Sequence, residues 1–244
     1  MNGEIEEILR EFRLIEKLNP VIFLDYDGTL VPIVMDPDKA YPSSFIKEKL
    51  KGLSERYELY IISGRSMADM ERFLGKGLNI IALHGAICRI DGVYLSNVDN
   101  FDHYVKTCNE IYQDRERYLR EYTGLRIYNK NGNILFHFGL MKSGREKLIN
   151  DVKELAQKVG MDVYMGKMII ELRIPGINKG MAINALRKGR PSLIAGDDAT
   201  DEEAFMMNRD CILVHVGPGN TVAKHILKST EEMEELLSGL ISLD

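Results

Sequence analysis

The sequence predicts an α/β fold in which a Rossmann-like, parallel-sheet core is interrupted by an inserted α+β domain. Two observations carry this. Short, continuous apolar runs of strand length alternate with helical patterns, and each run stops at a small polar cluster; a run apolar at every position suits a strand buried on both faces of a parallel sheet. That rhythm ceases near Asp91, gives way to a more aromatic and polar stretch, and resumes after Pro175-Gly176, as one domain interrupted by another requires.

The elements follow in order. Residues 4–18 place Ile5, Ile8, Leu9, Phe12, Ile15 and Leu18 on one side of a helix that stops before Pro20. Val21 to Leu24 is the first strand, bounded by Pro20 and by Asp25-Tyr26-Asp27-Gly28. A helix over 44–57, a strand over 59–62 ending at Ser63-Gly64, a helix over 67–74 and a strand over 80–83 ending at His84-Gly85 repeat the unit. The insert reads as a long charged helix over about 104–122, strands around 125–128 and 133–138, a helix over 143–159 and a strand over 168–174. Then come a helix over 179–187, a strand over 192–195 ending at Gly196-Asp197-Asp198, a helix over 201–207, a strand over 211–214 and an acidic helix from Ser229. The expected core is 1–87 with 176–244 and the insert 88–175, joined by short crossings near Asp91-Gly92 and Pro175-Gly176. In open α/β sheets the carboxyl ends of the strands are where ligands bind, and the polar clusters lie at those ends.

The bulk properties narrow the partners. With 244 residues, 45% of them apolar, the chain can bury a substantial core. A net charge of −5 with scattered Lys and Arg offers no basic stripe for nucleic acid or a membrane surface. No apolar run approaches a bilayer span, and the acidic, amphipathic start is unlike a signal peptide, so a cytoplasmic monomer is expected. Cys88, Cys108 and Cys211 are too far apart for metal-ligand spacing and odd in number, which suits packing thiols.

The strand ends carry chemistry. Asp25 and Asp27, two apart, project to the same side of the sheet edge; a carboxylate there can attack phosphorus while its neighbour donates a proton to the leaving oxygen. An Asp-rich turn is the plainer reading. Gly28 allows a sharp turn, and Thr29 offers a hydroxyl and an N–H to phosphate oxygens. Ser63, Gly64 and Arg65 can seat a phosphate near a helix N-terminus or simply cap it. Lys179, at a helix start, can meet phosphate oxygens or point to solvent. Asp197, Asp198 and Asp201 repel one another unless a hard divalent cation such as Mg²⁺ sits among them, or unless they cap the helix that follows.

Taken together, D-Y-D-G-T-L, S-G-R, N-K-G and G-D-D-A-T-D resemble the four motifs of the haloacid dehalogenase superfamily. The resemblance implies Asp25 as nucleophile and metal ligand, Asp27 as acid/base that lends its backbone carbonyl to the metal, and Ser63 and Lys179 on phosphate. It further implies Asp197 as principal metal carboxylate, Asp198 beside it, Asp201 in support, and the insert as a cap that sets specificity. A narrower resemblance, to trehalose-6-phosphate phosphatases, runs through Phe23 to Leu30, Pro32-Ile33, Pro37, Ala40, Pro42, Ile61 to Arg65, His84-Gly85-Ala86 and Gly196 to Glu202. It makes Lys130, His137, Glu171 and Arg173 sugar-contacting candidates, although His137 also reads as a packed core residue and Lys130 and Glu171 as solvated ones. Tyr128, Gly139 and Leu83 depart from that pattern. The implied activity is Mg²⁺-dependent hydrolysis of trehalose 6-phosphate through an aspartyl-phosphate. A phosphatase for sucrose phosphate or mannosyl-phosphoglycerate, a phosphomutase, or a silent sugar-phosphate sensor are the alternatives.

Overall fold

A computed structural model describes residues 3–34 and 36–243; residues 1, 2, 35 and 244, which the expected core takes in, lie outside them. In chain order the elements are α1 (Gly3–Ile15), β1 (Val21–Asp25), α2 (Ser44–Arg56), β2 (Glu58–Ile62), α3 (Met67–Leu74), β3 (Asn79–Ala82), β4 (Ile87–Ile90) and β5 (Val93–Ser96). The next are α4 (Phe101–Gln113), α5 (Arg115–Glu121), β6 (Arg126–Asn129), β7 (Ile134–His137), α6 (Arg145–Val159), β8 (Asp162–Met165) and β9 (Ile169–Arg173). The chain closes with α7 (Lys179–Arg187), β10 (Ser192–Gly196), α8 (Ala199–Met207), β11 (Ile212–Val216), β12 (His225–Leu227) and α9 (Thr230–Ile241).

The chain divides into two compact units, Met1–Asn97 with Asn178–Asp244, and Val98–Ile177. The first is built on an eight-stranded sheet ordered β12-β11-β10-β1-β2-β3-β4-β5, parallel from β12 through β3 and antiparallel over β4 and β5. Both faces of β1 are buried, which is why its sequence is apolar at each position before Asp25. Ile22 and Leu24 pack with α1, α2, α3 and α9 on one side. Val21 and Phe23 pack with α7 and α8 on the other. Helix starts are fixed by caps the sequence supplies: Ser43, Ser66, Asn178 and Asp198 each accept a backbone N–H from the first turn of α2, α3, α7 and α8.

The second unit is a four-stranded antiparallel sheet, β6-β7-β9-β8, with one face closed by α4, α5 and α6. Ile134, Phe136, Ile170 and Leu172 point into that core. Since the register pairs Leu135 with Glu171 and His137 with Ile169, alternation puts His137, Glu171 and Arg173 together on the opposite face.

Three expectations are corrected. Residues 88–97 belong to the first unit, because Asp91-Gly92 is not a crossing but the turn of the hairpin β4–β5, with φ of 50° and 79° at its two central residues. The long helix of the insert is two helices that break at Asp114, which is the C-cap of α4 and N-cap of α5. Strands β8 and β12 were not expected; their half-exposed or three-residue patterns are too short to show a period.

Candidate active site

β1 is central, flanked by β10 and β2 in parallel register: Leu24 lies beside Ala195 and Asp25 beside Ile62. The ends of these three strands therefore bring Asp25, Asp197 and Ser63 to one edge. Asp25 is 4% exposed and Lys179 is 3% exposed; Lys179 Nζ donates to Asp25 Oδ1 at 2.7 Å and to Asp201 Oδ1 at 2.8 Å. Two residues 154 positions apart in sequence thus form a buried ion pair, and one ammonium stands against several carboxylates.

Glycines make the approach possible. Gly28 has φ +89°, and a Cβ there would lie 2.1 Å from Asp197 Oδ2; a Cβ on Gly196 would lie 2.2 Å from Asp201 Cγ. Each glycine leaves room for the carboxylate that follows in the fold. Thr29, fully buried, donates from Oγ1 to Asp197 Oδ1 at 3.3 Å. Asp201 Oδ2 accepts the amides of Asp197 and Asp198, while Asp198 Oδ1 accepts the amides of Thr200 and Asp201 and the Thr200 hydroxyl. Asp198 and Asp201 form a reciprocal capping box at α8.

The electrostatics follow from that crowding. Burial, reinforced by Asp201, pushes the Asp25 carboxyl well above its ordinary range against the pull of Lys179. Burial and the charges of Asp201 and Asp198 push Asp197 up to about 7, and burial pushes Asp201 up to about 6. Asp198 goes the other way: burial opposes its charge, but Lys179 and the Thr200 hydroxyl hold it well below the usual carboxylate range. Burial also works against Lys179, yet Asp201 and Asp25 hold it firmly protonated. Asp25, Asp197 and Asp201 each place an oxygen within 4.8 Å of the others. Such a set is short of positive charge and offers only hard oxygen donors, which fits Mg²⁺. Asp198 and Asp201 are thus both engaged in capping α8, and Asp201 also turns its Oδ1 to Lys179.

Replacing Lys179 by Met should lower unfolding stability by about 3–5 kcal/mol, since it strands buried carboxylates without their cation. Urea unfolding in metal-free buffer reads this directly; an unchanged midpoint would mean that the pair contributes nothing.

The family model for trehalose-phosphatase matches residues 23–231, a span that contains every strand end described above. The chain belongs to the trehalose-phosphatase family. Membership makes it a phosphoric monoester hydrolase. Within this family it is 44% identical over 218 residues to the trehalose-6-phosphate phosphatase-related protein of Thermoplasma acidophilum, covering 89% of this chain and 95% of that one. A crystal structure of a trehalose-6-phosphate phosphatase related protein superposes with a TM-score of 0.86 at 43% identity, covering 91% of this chain and 96% of the other. The C-terminal domain of the trehalose-6-phosphate phosphatase of C. albicans superposes with a TM-score of 0.81 at 26% identity, over 100% of this chain and 98% of that domain. Haloacid dehalogenase-like hydrolases share the architecture at far lower identity, where the likeness shows the fold alone.

The second unit gathers three of its four expected residues. Glu171, 1% exposed, accepts from Lys130 Nζ at 2.6 Å and from Arg173 Nε at 2.8 Å, and the Arg173 guanidinium lies 3.6 Å from the centroid of the Tyr164 ring. His137 is on the same sheet face, and its Nδ1 accepts the Gly139 amide at 3.3 Å. In the first unit Ser63 Oγ accepts the Arg65 amide at 3.1 Å. Arg65, expected on phosphate, donates from Nε and Nη2 to both oxygens of Asp27 at 2.6 Å each. Burial opposes the Arg65 charge, but its bonds to Asp27 hold the guanidinium more firmly protonated than usual. His84 went unassigned in the sequence reading. It adopts a left-handed backbone, φ 58°, and its ring occupies the space a Cβ on Gly64 would need; the His84-Gly85 pair closing a strand was the available signal.

Proposed function

We propose that the chain hydrolyses trehalose 6-phosphate to trehalose and phosphate, with Asp25 as nucleophile, through an aspartyl-phosphate, in the presence of Mg²⁺. The observation that carries this reading is the buried contact of Lys179 with Asp25, set among Asp197 and Asp201 at one sheet edge. Lys179 orients Asp25 and favours its ionised form against burial, and with Thr29, Ser63 and Gly64 it receives the phosphoryl oxygens. Asp25 attacks phosphorus in line, and Asp27 gives a proton to the departing sugar oxygen. Asp27, now a carboxylate, takes a proton from the water that opens the Asp25–phosphate bond. We assign the metal to Asp25, Asp197 and the backbone carbonyl of Asp27. Asp201 supports the loop, because both of its oxygens already hold Lys179 and the amides of 197 and 198. Bound there, Mg²⁺ would neutralise the charge between carboxylate and phosphoryl group and so let them meet.

Sugar recognition is assigned to Lys130, His137, Glu171 and Arg173, with the second unit as the specificity domain. Their donors and acceptors match sugar hydroxyls, and sites built from such groups reject analogues that leave them unpaired. The names of the family relatives favour this substrate. A cytoplasmic monomer is the accompanying reading, supported by three unpaired cysteines of which two are buried. Among the described residues no helix is long and apolar enough to cross a membrane.

The test is phosphate release with Mg²⁺ from trehalose 6-phosphate and glucose 6-phosphate. The disaccharide should show the higher kcat/KM, and Glu171→Ala should raise KM for it about tenfold while leaving an aryl phosphate nearly unaffected. Equal effects on both esters would assign Glu171 to the fold rather than to the sugar.

A further inference from the structure

Arg65 is held in a way that a phosphate ligand does not require. Its guanidinium forms a two-pronged bridge to Asp27, and a third donor, Nη1, bonds the Pro37 carbonyl at 2.9 Å. The guanidinium carbon Cζ sits 5.0 Å from the centroid of Phe73 and 5.8 Å from that of Tyr26, two rings that themselves stack. Its backbone is tied at both ends, the amide to Ser63 Oγ and the carbonyl to the Leu83 amide. The Arg65 side chain is 14% exposed against 35% for Asp27, so the cation is the anchored partner and the carboxylate the more accessible one.

Fork-to-fork pairing fixes a carboxylate in orientation as well as in place, which a point charge does not do. We infer that Arg65 is a positioning residue that aims Asp27 at the leaving oxygen, and not a phosphate ligand; this rests on the reading of Asp27 as the acid/base. Proton transfer needs one Asp27 oxygen at a time. One prong of the bridge opens, the freed oxygen takes up a proton from solvent, and that proton passes to the leaving oxygen as its bond to phosphorus breaks. The other prong persists and serves as the pivot. In the second step the same oxygen takes the proton of the attacking water as the Asp25–phosphate bond breaks. The Pro37 carbonyl and the Phe73 ring hold the guanidinium still while Asp27 turns about it.

The experiment uses Arg65→Met and Arg65→Lys in the full chain with Mg²⁺. Two esters are compared: trehalose 6-phosphate, whose alcohol needs a proton to leave, and p-nitrophenyl phosphate, whose first step releases an anion that does not. If Arg65 positions Asp27, Arg65→Met should lower kcat on the sugar ester about 10²-fold. The initial burst of nitrophenolate and the inhibition constant of inorganic phosphate should both stay within about threefold of wild type. Arg65→Lys should recover part of the loss. In an Asp27→Asn background, adding Arg65→Met should cost less than about threefold more, the non-additivity of two groups acting as one. A rise of about tenfold or more in the phosphate inhibition constant, with equal losses on both esters, would make Arg65 a phosphate ligand and overturn the inference. Unchanged kcat on the sugar ester would also overturn it. Should Arg65→Met fail to fold, Arg65→Lys carries the same comparison of esters and of phosphate inhibition. If Asp27→Asn alone keeps wild-type turnover, the acid/base reading of the site is what fails, and the role given to Arg65 fails with it.

Discussion

Replacing Asp25 by Asn should lower phosphate release from trehalose 6-phosphate on the order of 10⁴-fold or more, as loss of a covalent nucleophile does elsewhere. The fold should survive. Asp25 is one of a crowd of carboxylates around a single ammonium, so an amide of the same shape relieves repulsion and still offers Lys179 an oxygen. The thermal midpoint in metal-free buffer should therefore stay level or rise, while turnover disappears. Residual activity of a tenth of wild type in a folded Asp25→Asn protein would remove the covalent route.

Excess chelator should bring activity to background, and added Mg²⁺ should restore it. The expectation rests on crowded negative charge: Asp25, Asp197 and Asp201 each place an oxygen within 4.8 Å of the others, and burial with mutual repulsion pushes their carboxyls up. A cation that binds the folded chain and not the unfolded one stabilises it by mass action, so the thermal midpoint should rise with Mg²⁺ in step with recovered turnover. Full activity in chelator would exclude the metal from the reaction. A midpoint indifferent to Mg²⁺ would place the ion elsewhere than in this cluster.

The parts of the fold that were legible in the sequence are those with one dominant periodic signal. β1, β2, β3, β10 and β11 announce themselves because each holds an unbroken run of at least three apolar residues. The hairpin β4–β5 was misread although Asp91-Gly92 is a strong turn signal; β5 is exposed along its length and has no apolar alternation to point at a core. At the site, the positions readable from sequence were those tied to a strand end, such as Asp25, Ser63 and Asp197. The bonds of Arg65 to Asp27 and of Thr29 to Asp197 depend on how far β2 and β10 carry their loops toward β1. No local spacing encodes that distance. Likewise the capping box that engages both Asp198 and Asp201 sets helix and cluster in competition for the same carboxylates.

The pairing of β1 with β10 and β2 sets a limit on how the chain can vary. Leu24 faces Ala195 on one flank and Asp25 faces Ile62 on the other, so Asp25 pairs with β2 and directly follows a residue paired with β10. One inserted or deleted residue within β1 would displace Asp25 by about 3.3 Å and turn it to the opposite face of the sheet. The lost contact with Lys179 could not be regained by any side-chain rotation. Substitutions along β1 that preserve volume should be absorbed, whereas length changes of a single residue should be lethal to turnover even when the apolar pattern is kept. Chain count, more than residue identity, is what descendants of this sequence must conserve between Pro20 and Gly28.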